Sequence, residues 1–205
     1  MIVSIPIYLA VEDELSEYVA RRVLSERHTR YSIKGVFRRG GFGYLKKQAT
    51  AFNNAARNTP FLLLTDLDQN ICPSALVSSW LNTPKQNHFL LRVAVREVES
   101  WLLGDPHGLK LFLRLKKDPL ISNPEQILDP KAEMLRMAIS SPSRQIREAL
   151  VWCDKNGRLY QGPDYNGTLG GFVFKQWAVS RSQKKCQSLD HFFNALQRLE
   201  ADFTR

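Results

Sequence analysis

The chain has 205 residues, enough for one domain with elaborations and a sizeable core. Its 43% hydrophobic content is ordinary for a globular protein, and no apolar run approaches the ~20 residues that cross a bilayer. Lys and Arg total 29 against 20 Asp and Glu, and the formal charge of +9 favours a polyanionic partner, nucleic acid before an acidic membrane surface.

The start, MIVSIPIYLAVEDE, has no basic segment and runs directly into acids, so it reads as a first strand rather than a signal peptide. A cytoplasmic location is the default expectation. Residues Ile2–Val11 alternate with a period of two, and Pro6 requires a gap or an edge on its N–H side. Glu12-Asp13-Glu14 follows, with Asp13 placed to cap a helix that carries Leu15, Tyr18, Val19 and Val23. Tyr31–Phe37 reads as a second strand, with a bulge expected at Gly35.

Residues 38–47, RRGGFGYLKK, read as a mobile loop or tight turn. The sequence lacks the GK[ST] ending of a phosphate-binding Walker loop, so its role is either a basic loop touching a phosphate backbone or a solvated turn. A helix over 44–57 is expected next. Phe61–Asp68, FLLLTDLD, is an apolar run closed by Thr65 and two alternate aspartates, Asp66 and Asp68. Such a run suits a strand buried on both faces of a parallel sheet, whose carboxyl edge is where ligands bind. Two carboxylates there repel unless water, a proton or a cation intervenes, and Mg²⁺ is a suitable cation. A capping Asp with a solvated neighbour explains the pair equally simply.

Cys72-Pro73 opens a helix with Leu76, Val77 and Trp80, and His88–Val95 is a fourth strand. Strands alternating with helices imply a mostly parallel sheet with right-handed crossovers. Glu97 sits just past that strand. In a regular helix Glu99 would point about 200° away from it, so at most one of the two should face a given site. Asp105-Pro106 reads as an N-cap followed by proline at the first helical position. Pro130–Ser140 is expected to be helical. Ser141-Pro142 starts another helix, Gly157–Gly171 is a long loop, and Ser188 caps a final helix with Leu189, Phe192, Phe193, Leu196 and Leu199 on its apolar face.

Basic residues are unevenly spread. From Arg27 to Thr65 there are eight and no acid, and Tyr165–Leu189 carries Lys175, Arg181, Lys184 and Lys185, again without an acid. The cysteines, Cys72, Cys153 and Cys186, and the four histidines are scattered, which supports neither a zinc site nor a disulfide framework.

Glu12, the Asp66/Asp68 pair and Glu97 thus stand at the ends of three predicted strands. This ordered set resembles the TOPRIM (topoisomerase–primase) superfamily, whose signature is a Glu after the first strand and Asp-x-Asp after the third. The resemblance is closer to a small bacterial TOPRIM-like family with VEG…E, DxD and ExExW motifs, seen here in AVEDE, TDLDQ and Glu97-Val98-Glu99-Ser100-Trp101. Where that pattern has glycine after the first Glu, this chain has Asp13.

The resemblance covers roughly residues 1–115 and implies a TOPRIM-like, Rossmann-like α/β core: a mostly parallel four-stranded sheet flanked by helices. Residues 116–205 would form a mainly helical C-terminal extension. It further implies Mg²⁺- or Mn²⁺-dependent phosphodiester chemistry. Asp66 and Asp68 would hold the metal, Glu12 would complete the site or act as general acid/base, and Glu97, with Glu99 second, would supply another ligand. Arg38, Arg39, Lys46, Lys47, Lys184 and Lys185 would grip nucleic-acid phosphates, DNA rather than RNA. By analogy with related proteins, an ABC- or SMC-like ATPase partner in an anti-phage system is implied, and self-association is compatible with the pattern. The alternative is a non-catalytic subunit that binds nucleic acid or the ATPase. Primase or topoisomerase activity fits less well, because no zinc ribbon accompanies the core.

Overall fold

The computed structural model describes residues 4–203. Ile2 and Val3, assigned by their alternation to the first strand, lie outside the described residues. The chain order begins β1 (Ser4–Val11), α1 (Glu14–Ser25), β2 (Arg30–Phe37), α2 (Gly41–Ala55), β3 (Phe61–Asp66), α3 (Pro73–Trp80) and β4 (Phe89–Ala94). It continues with α4 (Val98–Leu103), α5 (Pro106–Leu113), α6 (Pro130–Ile139), α7 (Arg144–Leu150), β5 (Val151–Cys153), β6 (Leu159–Gln161), α8 (Tyr165–Lys175), α9 (Val179–Gln183) and α10 (Gln187–Phe203).

The chain forms two compact units. One runs to Val95 and resumes at Ser188; the other is Arg96–Gln187. The sequence suggested a division near residue 115, but α10 belongs with the first unit, so that unit is discontinuous in sequence.

The first unit is an α/β, Rossmann-like layer built on a parallel sheet of order β2-β1-β3-β4. Alternation along the strands divides the core. Tyr8, Ala10, Phe61, Leu63, Phe89, Leu91 and Val93 pack with Leu45, Ala49 and Phe52 of α2 and Leu76 and Trp80 of α3. Ile5, Ile7, Leu9, Leu62 and Leu90 are buried on the opposite face. The apolar stripe of α10, Leu189, Phe192, Phe193, Leu196 and Leu199, is buried as core.

Pro6 is accommodated as its chemistry requires. Pairing of β1 with β3 begins only at Tyr8, whose N–H donates to Pro60 O at 3.0 Å, so no β3 acceptor faces the proline nitrogen. The bulge expected at Gly35 is present: Ile7 pairs with Ile33, but Tyr8 pairs with Gly35.

Several local expectations are corrected. Residues 38–47 are mostly helix, because α2 begins at Gly41. Only Arg38–Gly40 is loop, with Gly40 at φ +81° and Gly41 at φ +57° making the turn. A Cβ on Gly40 would also come within 2.8 Å of the Tyr44 Cβ. Burial of Leu45 and the edge-on packing of Phe42 against Trp80, with centroids 5.0 Å apart, override the weak helix propensity of the glycines. The expected long loop at 157–171 contains β6 and the start of α8, where Tyr165, Leu169, Phe172 and Val173 are buried at helical spacing. Finally, Ser188 lies inside α10 rather than capping it, and its Oγ accepts from Val95 N at 3.3 Å.

The second unit packs α4–α9 around Trp101 and Trp177, with the β5–β6 hairpin antiparallel. Asp105 caps α5 as its sequence predicts, accepting from Gly108 N at 2.9 Å. This fully buried carboxylate also receives Arg181 at 2.6 and 2.9 Å and Ala178 N at 2.8 Å, which ties α9 to α5. Ser143, not Ser141, precedes α7. No helix among the described residues is long and apolar enough to cross a membrane.

Candidate functional site

The parallel sheet sends successive chain reversals to one edge. Val11 of β1 is level with Leu64 of β3, so Glu12, one residue on, is level with Thr65. One Glu12 carboxylate oxygen accepts the hydroxyl of Thr65 and, at 2.9 Å, the backbone N–H of Asp66. Thr65, the single polar residue closing an apolar run, is 1% exposed and fixes the glutamate against the end of β3. In the sequence Thr65 reads only as the residue that closes the apolar run, not as a partner of Glu12.

Burial raises the Glu12 pKa above its ordinary value; the Thr65 and Asp66 hydrogen bonds work against this, and the charges of Asp68 and Asp13 add to it. Asp66, half-buried, is the last residue of β3. Asp68 is exposed on the turn that follows, at φ +49°, the left-handed region that aspartate tolerates better than most residues. That turn is closed by Asn70 N donating to Leu67 O at 3.0 Å.

Asp13 caps α1: its Oδ1 accepts from Ser16 N at 2.8 Å. Its φ of −143° is extended backbone open to any residue, so the turn after Glu12 makes no demand for glycine.

The basic loop emerges at the same edge. Phe37 ends β2 level with Ala10 of β1, so Arg38 and Arg39 leave the sheet beside the strand that carries Glu12. Arg38 Nη1 lies 3.5 Å from Glu14 and 3.6 Å from Glu17 of α1, and its charge is shared with them. Arg39, Lys46 and Lys47 are exposed. The first turn of α2 carries no acid, so its positive end is open to an anion.

Glu97 and Glu99 belong to the second unit. The expectation that they diverge fails, because Glu97 is the extended N-cap of α4 (φ −140°, ψ 164°) and not part of the helix. Both carboxylates consequently approach Lys131, whose Nζ lies 4.0 Å from Glu97 and 3.8 Å from Glu99. Glu97 also accepts from Lys131 N at 3.1 Å, and Glu99, 2% exposed, accepts the Tyr165 hydroxyl at 3.1 Å. Nothing in the sequence around Lys131 or Tyr165 announced these contacts. Lys185 donates to Ile121 O at 3.0 Å, while Lys184 is exposed.

Among the described residues no group of three His, Cys, Asp or Glu side chains is arranged to hold a metal ion. The donors after β1 and β3 still fit Mg²⁺ or Mn²⁺ in kind. They are hard carboxylate oxygens, and one of them, Glu12, is half-buried and disfavoured as a bare anion. Mg²⁺ is commonly held by one or two carboxylates plus water and substrate phosphate, without a full protein cage.

Residues 8–197 match the family described as "Domain of unknown function (DUF4276)". The chain belongs to the DUF4276 family. The DUF4276 match extends well beyond the first 115 residues and takes in the whole of the second unit. No curated protein and no solved structure matches the chain.

Proposed function

We propose that this DUF4276 protein is a Mg²⁺- or Mn²⁺-dependent nuclease of the TOPRIM kind, acting on nucleic-acid phosphodiesters in the cytoplasm. The observation that carries this reading is the shared edge. Glu12 follows β1, Asp66 ends β3 with Asp68 on the turn after it, and the basic Arg38–Gly40 turn follows the neighbouring β2. A chain with charge +9 that gathers acids beside a basic loop has the parts a polyanionic substrate and a divalent cation require.

Asp66 and Asp68 would hold the cation, which when bound lowers the pKa of water and neutralises phosphate charge. Glu12, held by Thr65 and Asp66, is positioned either to add a ligand or to move a proton at the scissile phosphate. Arg39, Lys46 and Lys47 contribute sequence-independent contacts to the backbone. DNA is the preferred substrate, and an ABC- or SMC-like ATPase in an anti-phage system is the proposed partner.

The second reading, a non-catalytic subunit that binds nucleic acid or the ATPase, is favoured by one observation: Glu97 and Glu99 already share the charge of Lys131. The deciding experiment is incubation of the purified protein with plasmid, linear DNA and RNA in Mg²⁺ or Mn²⁺, beside Glu12→Gln and Asp66→Asn. Cleavage lost in both variants supports the nuclease. Binding without cleavage by any version supports the second reading, and equal cleavage by all three overturns the assignment of these residues.

A further inference from the structure

The first unit contains a cavity of about 450 Å³ whose lining draws on β4 and α10. Lys85, Arg92 and Arg198 contribute to that lining, with Asn87 and, among the described residues, a single acid, Asp202. The register of β4 explains Arg92. Phe89, Leu91 and Val93 pack in the core beside α2 and α3, so Leu90 and Arg92 face the other side of the sheet.

A guanidinium on that face is withdrawn from water. Burial pushes the Arg92 pKa down, and the charge of Arg198 pushes it further. Lys85 is lowered by burial first, then by Arg92 and Arg198. The three cations therefore act on one another across a single hollow.

Their hydrogen bonds do not cancel that charge. Arg92 Nε donates to Leu91 O at 2.6 Å and Nη1 to His191 O at 3.3 Å, while Lys85 Nζ donates to Phe89 O at 3.0 Å. These are carbonyl acceptors: they satisfy N–H groups and leave the net charge in place. Among the described residues no carboxylate forms an ion pair with Lys85, Arg92 or Arg198, and Asp202 Oδ2 lies instead 3.5 Å from His88 Nε2. Gathering three like charges round a concave space disfavours the folded chain unless an anion enters.

We infer that this cavity binds a phosphoryl group carried by a small anion of about mononucleotide size. The Arg198 guanidinium beside the Lys85 ammonium suits phosphate oxygens, with the remaining Nη2 of Arg92 adding positive charge, and the volume lies in the range of small-ligand sites. The site is separate from the acids after β1 and β3. Lys85 and Asn87 precede β4, at the amino end of the sheet, whereas Glu12 and Asp68 follow their strands at the carboxyl end. The inference therefore stands or falls independently of nuclease activity.

The test is calorimetric titration and thermal shift on the full chain with inorganic phosphate, pyrophosphate and AMP. Sodium chloride of matched ionic strength is the reference, and Lys85→Ala and Arg198→Ala are run in parallel. Saturable binding is expected, with a rise in Tm of about 4 °C at ten times Kd. Each variant should weaken it at least tenfold. Arg198 is exposed and Lys85, though its ammonium is partly covered, keeps much of its surface open to water, so both variants should fold, and Arg198→Ala should melt no lower than the parent without ligand, since it relieves repulsion. Equal affinity for phosphate and AMP would identify free phosphate as the ligand, and tighter AMP a nucleoside phosphate. Absence of a saturable shift beyond the chloride reference, or binding unchanged in both variants, would overturn the inference.

Discussion

Glu12 keeps a carboxylate in a place where burial raises its pKa, and the hydrogen bonds from Thr65 and Asp66 only partly offset that. A raised folded pKa contributes stability that is full below the unfolded value, near 4.5, and is lost as pH rises through the folded pKa. Glu12→Gln keeps an oxygen to accept both hydrogen bonds and removes the ionisation. In EDTA it should melt above the parent at pH 8, and the gap should close by pH 4, as read by thermal denaturation across that range. The same substitution should lower cleavage by about 10²-fold or more if Glu12 moves a proton or binds the cation. A variant that cleaves normally and melts normally would show that Glu12 is an ordinary surface-edge residue.

The returning helix α10 is fastened by one carboxylate. Glu200 accepts from Arg27 Nε at 2.9 Å and from the Tyr31 hydroxyl at 2.9 Å, bringing together α10, β2 and the segment that follows α1. Burial opposes ionisation of Glu200, but these donors prevail and hold its pKa below the ordinary 4.5. A depressed carboxylate contributes stability above the unfolded pKa and loses it as pH falls through the folded one. Glu200→Gln should therefore cost about 2 kcal/mol in urea unfolding at pH 7, and that deficit should shrink below pH 4.5. In the second unit, Gly104 closes α4, and a Cβ there would lie 2.9 Å from the Ser182 Cα and 3.0 Å from the Cys186 Sγ. Gly104→Ala should destabilise by about 2 kcal/mol through overpacking, measurable by the same unfolding. These contacts also mark the limit of what a sequence conveys. Unbroken apolar runs such as FLLLT and HFLL announce buried parallel strands, and Asp105-Pro106 announces its own cap, because each signal is local. The glycine-rich starts of α2 and α8 mislead, since burial of Leu45 or of Tyr165 and Leu169 decides the helix against local propensity. Glu12 and Asp66 were legible through strand order. Lys131 was not, because its meeting with Glu97 and Glu99 depends on how α6 packs on α4.

Charge is the property that belongs to the molecule as a whole. With a formal charge of +9, binding to a nucleic acid should weaken steeply with salt. Replacing Arg39, Lys46 and Lys47 by alanine should reduce the slope of log K against log salt by roughly 2–3 if all three touch phosphates, with little change in sequence preference. Fluorescence anisotropy from 50 to 300 mM sodium chloride measures it, and an unchanged slope would remove this surface from the interface. The discontinuity of the first unit has its own effect on how the molecule is made. A ribosome delivers β1 to β4 first, then the whole of Arg96–Gln187, and only afterwards the amphipathic helix that buries Leu189, Phe192 and Leu196. During that interval the nascent sheet lacks its last cover and exposes apolar surface, a state prone to clumping and suited to chaperone capture. Residues 1–95 expressed alone should accordingly be aggregation-prone, and supplying 188–205 as a separate peptide should rescue their solubility.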